Sequence, residues 1–134
     1  MSVNSGRSRG VAVSSDMQES ITIPYTSALV TQKVWTAVRP MVVTDIVGVT
    51  RVAGSGGACS IKLYKAASGI AVGSGTLLHT GTFDLVGTAD TNQVLTLVAD
   101  LPSTTLQPGD SLGYVLTGTA TSAVGVVTVV MEPI

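Results

Sequence analysis

Few side chains in this sequence could do chemistry, and they are scattered. His79 is the only histidine and Cys59 the only cysteine. His79 lies in the alternating stretch Leu78-His79-Thr80, where the simplest expectation is an exposed or half-buried strand residue. A Ser-His-Asp site needs that histidine, yet no GxSxG elbow accompanies it, so nucleophilic catalysis would rest on a single residue. One Cys and one His cannot supply the three or four ligands of a zinc site. Asp84 and Asp90 flank a loop and could share a calcium ion, but the DxDxDG spacing is missing and solvated turn residues are the simpler reading. Glycine-rich stretches at 54–57 and 73–75 are followed by neither Lys-Ser/Thr nor a helix, which makes them turns and not phosphate cradles. No catalytic residue, cofactor or metal site is assigned, and an enzyme is not expected.

Trp35 is the exception worth holding. It is the only tryptophan, it alternates with Lys33 and Ala37 opposite Val34 and Val38, and a large ring with a polar edge suits an interface anchor as well as a core. A sugar platform needs aromatic groups beside amides and carboxylates, and aromatic residues are only 4% of the chain.

The elements that would position these residues are strands. Val and Thr together exceed a quarter of the 134 residues, and both are β-branched and suited to a pleated sheet. Short β-rich runs fall at 18–23, 33–38, 42–52, 59–65, 76–85, 92–98, 112–119 and 124–131. Clusters of Gly, Pro, Asp and Ser separate them, the punctuation of a sandwich or barrel. Ile61 and Leu63, with Cys59, should face one side and Ser60 and Lys62 the other; Leu95 and Leu97 should oppose Val94 and Thr96. Gln107-Pro108-Gly109-Asp110 should turn and start a strand directly after. Any helix should be short, with Pro24 to Val30 the best place for it. The expected fold is a single all-β sandwich domain over 17–134, preceded by an arm over 1–16. That arm is rich in Ser and Gly, carries Arg7 and Arg9, ends at Asp16 and lacks the apolar groups to fold alone.

Charged residues are 11% of the chain and the formal net charge is −1. Without a basic field, nucleic acid is a poor partner. No run approaches the roughly 20 apolar residues of a membrane span, the amino-terminal stretch has no secretory h-region, and the lone cysteine suits a reducing cytoplasm. So sparse a charge coat leaves much surface to meet protein, and a homo-oligomer, a trimer in the first instance, is expected.

From Ser60 onward the order of motifs resembles small virion proteins of tailed bacteriophages, known as capsid decoration, cement or head-fibre proteins. The matching features are IKLYKA at 61–66, the Gly-Ser-Gly turn at 73–75 before a strand ending HTGTFDL, the Leu-x-x-Gly-Asp turn at 106–110 and the Val/Thr-rich last strand. Residues 19–52 match more loosely. The resemblance implies a jelly-roll-like sandwich that trimerises on the capsid exterior and reinforces joints of the major capsid protein, after synthesis in the host cytoplasm. In such proteins the arm can reach along the shell, which would give Arg7, Arg9 and Asp16 capsid contacts. The competing classes are a carbohydrate- or receptor-binding sandwich of a phage appendage, and a trimeric nucleotide hydrolase of the dUTPase type, whose acidic glycine-rich and arginine-bearing motifs are not found in this sequence.

Overall fold

The computed structural model describes residues 18–119 and 121–134, so the arm residues Arg7, Arg9 and Asp16 lie outside the described part. The described chain forms ten strands: β1 (Glu19–Tyr25), β2 (Gln32–Thr36), β3 (Met41–Val52), β4 (Cys59–Ala66), β5 (Thr76–Leu77), β6 (Phe83–Asp84), β7 (Asn92–Val94), β8 (Thr105–Leu106), β9 (Ser111–Gly118) and β10 (Val124–Pro133). A 3-10 turn covers Val72–Ser74 and a one-turn helix, α1, covers Leu101–Thr104.

All pairings are antiparallel. One sheet runs β1-β10-β3-β7 with β8 also on β3, and the other runs β2-β9-β4-β5 with β6 also on β4. Read as a ribbon, β1 pairs with β10, β2 with β9, β3 with β7 and β8, and β4 with β5 and β6. Rolling that ribbon brings β10 against β3 and β9 against β4. The result is a jelly-roll-like sandwich of two antiparallel sheets.

Alternation explains the core. Along β4, Cys59, Ile61 and Leu63 are buried while Ser60, Lys62 and Tyr64 are partly exposed, and Leu95 is buried between exposed Val94 and Thr96. Met41, Val43 and Ile46 of β3 and Val127, Val129 and Met131 of β10 face the same interior. Phe83 from β6 lies over Gly48 of β3, where an added Cβ would come within 2.5 Å of the ring. The Gln107–Asp110 turn forms as expected: Gly109 has φ +93°, Asp110 N–H donates to the Gln107 carbonyl at 2.9 Å, and β9 begins at Ser111.

Three expectations need correction. The run 76–85 is not one strand. It pairs with β4 at Thr76–Leu77, leaves it, and returns at Phe83–Asp84. The run 92–98 likewise pairs with β3 only as far as Val94, after which 96–98 pass beside 78–80: Thr80 N–H donates to the Thr96 carbonyl, Val98 N–H to that of Leu78, and His79 bridges Leu97. These two crossing segments close one side of the sandwich, so neither can stay in its own sheet. The helix does not form at 24–30, because Pro24 and Tyr25 continue edge strand β1 against Val126 and Gly125. It forms instead at Leu101–Thr104, with a proline in its first turn, where the missing N–H costs nothing. Lys65 Nζ donates to the carbonyls of Pro102 and Thr105, at 2.6 Å each, and so ties this short helix to β4.

Candidate functional site

His79 is wholly buried, not exposed or half-buried as its alternating context suggests. Its Nε2 accepts the Leu63 N–H at 2.9 Å, and its Nδ1 lies 3.0 Å from the Thr80 carbonyl. The acceptor role of Nε2 puts the proton on Nδ1, which donates to Thr80. The ring therefore fills a gap in the ladder: Leu63 still accepts from Leu78 N–H, but the chain has swung away and the imidazole stands in for the absent carbonyl. Burial pushes the His79 pKa below its ordinary value, and Lys62 adds to that, while the Thr80 bond opposes it. Both nitrogens are committed to structure.

Asp84 is committed too. Its Oδ1 accepts the Val86 N–H at 2.9 Å, closing a turn. Its main chain is held by Gln93, whose Oε1 accepts the Asp84 N–H at 2.9 Å and whose Nε2 donates to the Asp84 carbonyl at 2.7 Å. A side-chain amide thus imitates a strand and links the edge of one sheet to β7 of the other. Replacing Gln93 with leucine should cost about 1 kcal/mol, the net worth of such bonds at a partly exposed place; an unchanged urea midpoint would count against the link. Asp90 sits on the other sheet's side of this turn, where its N–H donates to the Thr50 carbonyl. Among the described residues, no three His, Cys, Asp or Glu come together as a metal cluster. Cys59 is buried, and burial together with the Asp84 charge raises its pKa, which disfavours the nucleophilic thiolate.

Trp35 is half-buried against the core. Its strict alternation with Lys33 is broken by a bulge, since Leu112 pairs with Trp35 while the adjacent Gly113 pairs with Lys33. Trp35, Thr36, Val38, Met41 and the ion-paired Arg39 and Glu19 line a shallow cleft. This is the end of the sandwich at which the chain enters β1. Val38 is 85% exposed there, and Ile134, whose N–H donates to the Pro40 carbonyl, is 73% exposed.

The two outer faces of the sandwich differ, which strand assignment alone does not reveal. The β2-β9-β4 face is covered in part by its own loop: Val72 is buried against Gly113, where a Cβ would come within 2.7 Å of the valine methyl, and Lys33 Nζ anchors the loop at the Ala67 carbonyl. Among the described residues, no such loop covers the face of β1, β10, β3 and β7. Its registered rows are Pro24, Val126, Val49, Asn92 and then Thr22, Thr128, Val47, Val94. The solvent side of an antiparallel sandwich is ordinarily polar; this one is Val and Thr. No helix among the described residues is long and apolar enough to cross a membrane.

No family model matches the chain, and no curated protein matches it. Among solved structures it is similar to a chain from the Bacillus endospore appendages described as a family of disulfide-linked pili, with 14% identity and a TM-score of 0.44 over 93% of this chain and 96% of that one. It is also similar to a chain of the infectious bursal disease virus Gx strain, with 20% identity and a TM-score of 0.38 over 87% of this chain. The match spans 32% of that viral chain. Both are distant likenesses of jelly-roll-like β folds and assign no family.

Proposed function

We propose that this chain is a structural virion protein that binds the outer surface of a tailed-phage capsid and stabilises it, with the major capsid protein and further copies of itself as partners. The observation that carries this reading is the end of the sandwich around Trp35. Apolar Val38 stands in solvent on the cleft that the half-buried indole lines with Glu19 of β1, the strand that follows the arm with Arg7, Arg9 and Asp16 in the sequence, and exposed Ile134 is tied to the Pro40 carbonyl. The polar atoms of His79 and Gln93 and one carboxylate oxygen of Asp84 are spent on the main chain, which suits a structural role. A rigid body with an apolar anchor and a polar, basic arm suits attachment: the body supplies a preformed contact, and the arm gives up conformational entropy for length of contact and for Arg–carboxylate pairs.

The test is competition for capsids assembled without the protein, from the genome that encodes it. Deleting residues 2–15 should leave the sandwich folded and lower its share of capsid sites. Val38→Asp should lower occupancy by about tenfold or more, because a charge placed in an apolar contact must be desolvated without a partner. Equal occupancy by truncated and full-length protein would remove the arm from the proposal. Failure of the unaltered protein to bind capsids at all would end it.

A further inference from the structure

We infer that the bare Val/Thr face of β1, β10, β3 and β7 is the contact through which two copies of this chain pair about a two-fold axis. This inference rests on that face alone and needs no capsid.

The charges on the face select the arrangement. Along β3, Asp45 lies on the same side as Val47 and Val49, and Arg51, at a bulge that leaves it without a register partner on β10, lines one depression with Val49 and Val126; each charge is three residues from Gly48. Glu132 adds a second acid at the Asp45 end, and Asp90 flanks Arg51 in a depression of about 430 Å³ lined by Pro24, Val49 and Val126. Among the described residues Arg51 makes no ion pair, the salt bridge there being Arg39–Glu19. The in-plane two-fold axes that relate two such faces have two limiting directions, along the strands and across them. An axis along the strands sets the acidic end of one copy on the acidic end of the other. An axis across the strands at Gly48 lays β3 antiparallel over β3, so that Asp45 of each copy faces Arg51 of the other. It also seats the Val126–Val49 row of one copy on the Thr128–Val47 row of the other. Both arrangements are isologous and closed, and only the second is complementary in charge.

The area is sufficient for a reversible pair. The 7, 10, 12 and 3 residues of β1, β10, β3 and β7, at about 3.3 Å per residue and with strands about 4.8 Å apart, present on the order of 500 Å² per copy. Two copies bury on the order of 1,000 Å², the size of weak, transient interfaces. A contact of this size makes the pairing reversible and concentration-dependent.

The experiment is sedimentation velocity of the full chain over a micromolar concentration series, with circular dichroism to verify folding. The unaltered protein should pass from one copy to two. Asp45→Arg and Arg51→Asp should each weaken pairing by roughly tenfold or more, because like charges then oppose each other across the contact. Val126→Lys, at the centre of the face, should do the same. The double reversal Asp45→Arg with Arg51→Asp should restore pairing, since the swapped charges meet again. A single copy at every concentration overturns the inference. So does an assembly of three that the reversals leave intact, or a double reversal no tighter than the single ones.

Discussion

Replacing Phe83 with alanine should lower the unfolding free energy by about 3–5 kcal/mol, the range for removing a buried aromatic ring. That is a large share of the roughly 5–15 kcal/mol that holds an ordinary domain together. Phe83 is the only phenylalanine and is fully buried. It meets Tyr25 edge-on, with centroids 5.9 Å apart and planes at 78°, and Tyr25 in turn shares a hydrogen bond with Thr50 at 2.9 Å. The space for the ring exists because β3 has glycine at position 48. Gly48→Ala should therefore cost about 1–3 kcal/mol by overpacking. Adding Phe83→Leu to it should cost less than the sum of the two single changes, because the shorter side chain frees the place the new methyl needs. Urea unfolding of the four proteins checks this. Strict additivity would mean that the two residues do not compete for the same volume.

Acidification should weaken the fold through His79, and the sign follows from its burial. The pKa in the folded chain is depressed, whereas the unfolded chain titrates near the ordinary value of about 6.5. Between those two values the unfolded chain takes up a proton that the folded one refuses, so stability falls with falling pH. The contribution is complete above about pH 6.5 and is lost as pH drops toward the depressed folded value. Protonation also turns Nε2 from an acceptor into a donor aimed at the Leu63 N–H. His79→Leu should flatten this pH dependence while costing about 1–3 kcal/mol at neutral pH, because the Leu63 N–H is then buried without a partner. Urea midpoints measured between acid and neutral pH separate the two effects. An unaltered slope in the leucine variant would move the pH dependence to other groups.

The β-branched composition, the turn at 107–110 and the alternation along 59–65 make the sandwich readable from the amino-acid order alone, because each depends only on local chemistry. His79 shows where local reading stops. A histidine between Leu78 and Thr80 has the pattern of a surface strand, and only the departure of 78–80 from β4 toward 96–98 puts the ring inside. The run 92–98 misleads in the same way: alternation persists through Leu97 while the hydrogen-bonding partner changes after Leu95, whose N–H still donates to the Ile46 carbonyl. The one-turn helix does carry a signal, Asp100 before Leu101-Pro102, which is a common start for a helix. Trp35 and the Val/Thr outer face are legible as residues and not as surfaces. VGVVTVVM does not tell which of its faces meets the core, nor that a loop hides one side of the sandwich and leaves the other open.

The position of β10 sets the tempo of folding. It lies between β1 and β3, pairing Met131 with Glu19 on one side and with Val43 on the other. The sheet thus joins segments from opposite ends of the described chain. Its two earlier strands have no pairing with each other until the later one inserts between them. During synthesis, β1 and β3 leave the ribosome as apolar strands with open edges and must wait for β10, which follows the other described strands. Non-local pairing of this kind makes loop closure costly before it is rewarded. Refolding should be slow, on the order of milliseconds to seconds. The nascent chain is most open to misassociation, or to help from a chaperone, in the interval before β10 arrives.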